Sequence, residues 1–191
     1  TAPRAVPVAP MPREVATRMP EPPEPDAEPK AVQPPPPPGR VTTFELNQPD
    51  APFSLPFTMK NGEYVVVKGK AKSFRVSSLD NGAVLEASEL EVGAVTVGGV
   101  IGGGSKLKLK APSVVVYGRV TGGAEVTLDA AGGEVKFASP TTARADGSKI
   151  DGGAKVSVTA RVAEFKGDIA GDGTRVTVLL TRSAWLKFAS L

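Results

Sequence analysis

The stretch Gly123–Leu128 reads Gly-Ala-Glu-Val-Thr-Leu, and it is one of six phrases of the same kind in the chain. The other phrases begin at Gly62, Gly82, Gly104, Gly153 and Gly173, and successive phrases lie 20, 22, 19, 30 and 20 residues apart. Self-similarity at this period is typical of solenoids, in which each repeat stacks on the next. The repeat therefore predicts an all-β, single-domain β-solenoid of about six rungs. Because crossovers between parallel strands are right-handed by default, we expect a right-handed β-helix.

Strict alternation marks the strands of this coil. In Ser105–Lys110, lysines alternate with Leu107 and Leu109, and a strand sends alternate side chains to opposite faces. We therefore expect these leucines inside the coil and the lysines outside. A second short strand follows each phrase, which favours a triangular or flattened coil with glycine corners. The same alternation predicts further inward residues: Val126, Leu128, Val156, Val158, Val176 and Val178.

The first forty residues differ in composition from the rest. Residues 1–39 contain 14 of the 19 prolines and one of the 21 glycines. We expect an extended proline-rich arm over residues 1–40 and the solenoid over residues 62–191. Five consecutive prolines favour a polyproline II helix, which docks in aromatic grooves of partner proteins; a tether without a specific partner is the alternative. These prolines are Pro34, Pro35, Pro36, Pro37 and Pro38.

Both ends of the coil carry aromatic residues. Residues 41–61 combine phenylalanines with Pro49, Pro52 and Pro56, and proline belongs at sheet edges because it lacks a backbone donor. This predicts an N-terminal cap in which Phe53 and Phe57 pack over the first rung, with a partner-binding segment as the alternative. At the other end, Trp185 and Phe188 are interpreted either as a plug of the hydrophobic bore or as an anchor for a partner. The polar stretch Ser139–Ile150 predicts a loop inserted into one rung.

The composition removes several kinds of chemistry. The chain has no Cys and no His, so thiolate and imidazole catalysis and the commonest transition-metal ligands are excluded. The net charge of +3 is too small for a dedicated nucleic-acid binder. The glycine-rich residues 98–106 lack the residue order of a phosphate loop, and the single Asp-Gly-rich stretch 167–173 is better explained by turns than by calcium binding. We predict no enzyme activity, no metal and no cofactor.

A row of lysines, Lys106, Lys108 and Lys110, points outward from one strand. If Lys68, Lys70 and Lys72 align with it two rungs away, the two rows form a basic strip. Such a strip suits anionic lipid headgroups or an acidic protein. The alternative is a solvated lysine face that protects the strand from other chains.

Two segments, Ser113–Gly122 and Ala163–Ala170, resemble bactofilins, a family that repeats apolar triplets followed by glycine-containing phrases. The resemblance covers about residues 82–180. It implies a right-handed β-helix, disordered proline-containing tails, no nucleotide, end-to-end self-assembly and membrane-associated scaffolding in a bacterial cytoplasm.

These features predict a non-enzymatic scaffold, an accessory subunit that docks on a larger, membrane-associated assembly through its arm and its coil surface. A bactofilin-like cytoskeletal filament and a carbohydrate-binding surface β-helix are the alternatives. The expected partners are proteins of that assembly, with peripheral contact to an anionic membrane surface, self-association as a further option and no nucleic acid. We expect the protein in the cytoplasm at a membrane, with the periplasm as the alternative.

Overall fold

The protein is a coil of about six turns built from parallel strands. The structure is a computed structural model, and it describes residues 41–55, 58–138 and 148–189. The described residues form strands and contain no helix, so the predicted all-β solenoid is confirmed. The arm with Pro34–Pro38, Phe57 and most of the predicted loop lie outside the described residues. The strands are β1 (Val41–Ser54), β2 (Tyr64–Val76), β3 (Val84–Val97), β4 (Lys106–Lys110), β5 (Ser113–Val116), β6 (Arg119–Val120), β7 (Glu125–Phe137), β8 (Ser148–Ile150), β9 (Lys155–Ile169) and β10 (Arg175–Ala189).

Each rung crosses three ladders, and every pairing within them is parallel. The first face stacks the opening halves of β1, β2, β3, β4, β7, β9 and β10, and the second face stacks β5 with the closing halves of the long strands. The third face is made by β6, β8 and the end of β9, continued by single bridges that join Met59, Leu79, Ile101 and Val120. Long strands bend from the first face to the second at a corner.

The alternation of lysine and leucine has the predicted outcome. Leu107 and Leu109 are buried, whereas the lysines beside them on β4 are exposed. Of the other predicted inward residues, those on β7 and β9 are buried and those on the terminal β10 are partly buried against the core. Because equivalent positions stack rung upon rung, the core consists of columns of like side chains. One column stacks Phe137 on Phe165, with ring centroids 4.8 Å apart.

The repeated glycines form a stack of tight turns. Asn61 and Gly62 both have positive φ, at 53° and 70°, and the N–H of Glu63 donates to the Lys60 carbonyl at 3.1 Å. The Gly62 N–H instead donates to the Asn81 carbonyl of the next turn at 3.0 Å. Consecutive positive φ values favour Asn-Gly and Gly-Gly pairs, which is why the phrases open on glycine and why the turns stack in register.

The segment predicted to cap the coil begins with a strand of the same sheet. β1 pairs in parallel with β2 from Val41 to Ser54, with a register shift between Gln48 and Pro52. The Phe53 ring stacks on Phe74 with centroids 5.9 Å apart. The segment thus covers the following rung as a further rung that lies at the edge of the sheet, where proline is tolerated.

Candidate functional site

The most apolar exposed surface among the described residues lies on the terminal strand β10. The exposed side chains there are Leu179, Trp185, Leu186 and Phe188, of which Trp185 is 68% exposed and Phe188 is 64% exposed. β10 pairs with β9 along one edge, and no other described strand pairs with its second edge. We call this surface, Arg175–Ala189 with its exposed apolar side chains, the C-terminal end.

The structure separates the two aromatic residues that the sequence placed together. Phe188 lies in register with the buried Phe165, and the two rings stack 5.5 Å apart. Leu186 lies in register with the buried Ala163, so it also belongs to the interior columns. Trp185 alternates with Leu186 along the strand and therefore points away from the bore. Phe188 and Leu186 thus cover the last interior layer, while Trp185 extends the apolar surface outward.

The opposite end of the coil is less exposed in its apolar side chains. Phe44, Leu46 and Phe53 of β1 are partly buried against the core, and Leu55 is buried. Prolines at 49 and 52 lie at the corner of this strand. Proline on an edge strand hinders pairing with other chains. The described edges therefore differ, because β10 contains no proline along its 15 residues.

The predicted basic strip is interrupted by acidic residues. Lys106 and Lys108 are exposed, and they pair with Glu125 at 3.1 Å and with Glu86 at 2.9 Å. Between the two lysine rows lies β3, which carries Glu86, Glu89 and Glu91. Lys68 and Lys70 pair with the last two of these glutamates at 2.8 and 2.9 Å.

Lys110, the third residue of the row, lines a shallow groove of about 520 Å³ at the corner between the first and second faces. Carboxylates of β3 and β7 line the same groove. The groove forms because β4 and β5 are joined by a shorter corner than those of β3 and β7. The lysine rows and the intervening acids thus form a mixed, largely neutralised surface.

The ion pairs of the first face shift the titration of their members. The Lys108 ammonium, hydrogen-bonded to Glu86, holds the pKa of that carboxyl below its usual value. The Lys106 ammonium does the same for the pKa of Glu125. The Tyr64 hydroxyl donates to Glu86 at 3.0 Å, and this bond raises the pKa of Tyr64. Both carboxylates are ionised at neutral pH and form ion pairs with lysine ammonium groups of neighbouring rungs.

An ion pair with a buried carboxylate and a half-exposed arginine lies on the third face. Asp151 is only 7% exposed, and its carboxylate accepts hydrogen bonds from the Arg119 guanidinium, at 3.2 Å from Nε. Lys149 Nζ lies 3.4 Å from the same carboxylate. The Arg119 bond holds the pKa of Asp151 at about 2. Sequence reasoning did not pair these residues, although aligning the phrases on their Gly-Gly pairs places Arg119 beside Lys149 and Thr121 beside Asp151.

Among residues 41–55, 58–138 and 148–189, no group of three or more acidic side chains could hold a metal ion. The carboxylates described above pair with lysine or arginine across rungs. This arrangement joins neighbouring rungs through ion pairs and leaves apolar side chains of the C-terminal end exposed.

Fold and surfaces together define a parallel β-solenoid protein with one strongly apolar end. No protein-family model, curated protein or solved structure matches this chain. In the part of the chain that the structure describes, no helix is long and apolar enough to cross a membrane.

Proposed function

We propose that the protein is a non-enzymatic structural scaffold, an accessory subunit that docks on a larger assembly through its C-terminal end and its proline-rich arm. The observation that carries the proposal is the exposure of Trp185, Phe188 and Leu179 along an unpaired strand edge. Exposed apolar patches beside an open β-edge are typical of protein interfaces. Tryptophan in particular dominates binding energy at interfaces.

The interior and the side faces of the coil also support a structural role for the protein. The coil interior is filled by columns of apolar side chains. Its first face carries ion pairs that join neighbouring rungs, and its buried carboxylate is occupied by Arg119. Rods of this kind interact through their nearest-neighbour repeats and their extended surfaces.

The arm supplies the second contact in this proposal. Its prolines at 34–38 favour an extended conformation, and such segments bind aromatic-lined grooves with a small loss of entropy. We place the assembly in the cytoplasm at an anionic membrane surface, with the periplasm as the alternative. The exposed Lys110 would contact the headgroups, since Lys106 and Lys108 on the same strand pair with glutamates.

Disruption of the C-terminal end tests the proposal. The double variant Trp185→Ser, Phe188→Ser removes the two exposed rings, and Tyr117→Ser removes a 39%-exposed ring from the side of the coil as the control. In gradient sedimentation of native extracts, the double variant should move from the high-mass fractions to the position of the free protein. Deletion of residues 1–40 should weaken the association further.

Circular dichroism would establish that each variant retains its β-structure. The proposal fails if the folded double variant sediments with the assembly as the unaltered chain does. It also fails if Tyr117→Ser releases the protein as strongly as the double variant does.

A bactofilin-like filament is the second candidate function. It is favoured by the outer edges of β1 and β10, which belong to the same parallel sheet and pair with no further strand among the described residues. Stacking one coil on another would continue that sheet and cover Leu186 and Phe188. Electron microscopy of the purified chain tests it, and a monodisperse monomer at high concentration would count against it.

A further inference from the structure

The terminal strands carry opposite charges. β10 contains Arg175, Arg182 and Lys187 and no acidic residue, whereas β1 contains Glu45 and Asp50 and no basic residue. Inside the coil, acidic and basic strands alternate over β1 to β4: the charged residues of β2 and β4 are all basic and those of β3 are all acidic, whereas β7 and β9 carry both signs. An acidic strand stacked on β10 would bring net charges of opposite sign together, as β3 does between β2 and β4.

The two free edges also present complementary backbone groups. The Arg175 N–H donates back to Ala154 at 2.9 Å, and alternate residues of a parallel strand bond to opposite neighbours. The N–H groups of Val176 and Val178 therefore point to the free edge of β10. On β1, the Leu55 N–H donates to Arg75 at 3.1 Å, so Ser54 points to the free edge of that strand.

The interior columns match as well. Along the sheet, Phe53 and Leu186 occupy the same column, because successive register pairs link them through Phe74 and Ala163. Val178 likewise shares a column with Phe44 of β1. Phe44 and Phe53 are nine residues apart, whereas Val178 and Leu186 are eight apart. Stacking β1 on β10 would therefore place these apolar side chains over each other with a one-residue register shift at the corner, where the pairings of β1 and β10 inside the coil also shift.

We propose that the C-terminal end of one copy binds the β1 edge of a second copy, head to tail and in parallel, with the opposite net charges of β10 and β1 favouring this orientation. The inference rests on the filament function proposed above and adds its polarity. Joining two C-terminal ends would bring basic strands together, and joining two β1 edges would bring acidic strands together. Like charges across an interface suppress wrong pairings. Because the contact joins different surfaces, it does not close on itself and yields linear polymers.

Single cysteines provide a clean test, since the chain has no Cys of its own. Ser54 of β1 and Lys187 of β10 are exposed and occupy one column of the sheet. In the proposed contact their Cα atoms would lie about 5 Å apart, within disulfide range. Full-length Ser54→Cys and Lys187→Cys proteins with different tags are mixed and oxidised mildly. Lys136→Cys, in the middle of the same column, replaces Ser54→Cys in the control mixture.

We expect the mixed disulfide in about tenfold excess over either homodimer, which corresponds to roughly 1.4 kcal/mol of discrimination. Its yield should fall as salt is raised, because screening weakens the charge selection. Homodimers alone would overturn the polarity and leave the filament function standing. No disulfide above the Lys136→Cys control would overturn both, while docking on a different partner protein would remain as the first proposed function.

Discussion

Replacement of Asp151 by Asn should destabilise the coil more than any exposed ion-pair variant. Asp151 lies between β8 and the next tight turn, with its side chain 10% exposed and bonded to Arg119 on a neighbouring rung. The lowering of its pKa from 3.8 to about 2 corresponds to roughly 2 kcal/mol of stability from the ionised form. We therefore expect Asp151→Asn to lower the free energy of unfolding by about 2 kcal/mol at pH 7.

The matched control is Glu91→Gln. Glu91 pairs with Lys70 at 2.9 Å, but its side chain is 73% exposed. Solvent screens such pairs, so the control should lose at most about 0.5 kcal/mol. Asp151 is less exposed than Glu91 and is bonded by two nitrogens of Arg119 with Lys149 beside it, whereas Glu91 pairs with one lysine. Burial and the number of bonds therefore both favour the larger loss at Asp151. Urea unfolding followed by circular dichroism measures both changes.

The pH dependence of the free energy of unfolding tests whether the ionised form of Asp151 is the stabilising one. The folded-state pKa of Asp151 is below the unfolded value, so the contribution is present above about pH 4 and is lost as the pH falls towards about 2. The stability difference between the unaltered chain and Asp151→Asn should shrink over this range. A difference that is independent of pH, or equal to that of Glu91→Gln, would refute the assignment of the stability to this carboxylate.

Three further predictions concern other parts of the coil. Gly118→Ala should lower the free energy of unfolding by at least about 3 kcal/mol, because a Cβ there would lie 1.6 Å from the Gly99 carbonyl oxygen. Gly62→Ala, with φ +70° and no atom within 4 Å of the added Cβ, should lower it by about 1–2 kcal/mol. Thermal unfolding compares the two variants, and equal losses of stability would contradict the close approach at Gly118. Phe137→Ala removes the ring stacked on Phe165 and should lower the free energy of unfolding in urea by about 3–5 kcal/mol. A loss smaller than that of the control Val115→Ala, at an outward position, would count against the stacked core. In a Tyr117→Phe background, which leaves Tyr64 as the only tyrosine, absorbance titration should give a raised pKa that falls when Glu86 is replaced by Gln; an unchanged titration would mean that Glu86 does not bond the hydroxyl.

Prediction from the sequence succeeded where the signal was local. The alternation of Lys106–Lys110 placed each leucine inside and each lysine outside, because successive residues of a strand point to opposite faces. The turn glycines were likewise predicted from their spacing. The prolines of β1 indicated an edge, and the strand that contains them is the first rung of the described sheet.

The candidate site was only partly predictable. Trp185 and Phe188 were recognised as end residues, but two interpretations stood beside each other until their register with β9 was known. The lysine rows were seen without the glutamates that pair with them. The Arg119–Asp151 pair was missed, because its members are separated by the long rung step.

What the sequence alone determined is the period of the coil, the face to which each strand residue points, and the contrast between a proline-rich arm and a glycine-rich body. Each of these follows from backbone geometry within a few residues. What only the tertiary structure decided is which residues meet between rungs: Lys108 with Glu86, Arg119 with Asp151, and Phe188 over Phe165. On the first face the register follows the repeated glycine turns, but the repeat does not show which side chains bond. On the second face the register also depends on the lengths of the corners, which differ between rungs.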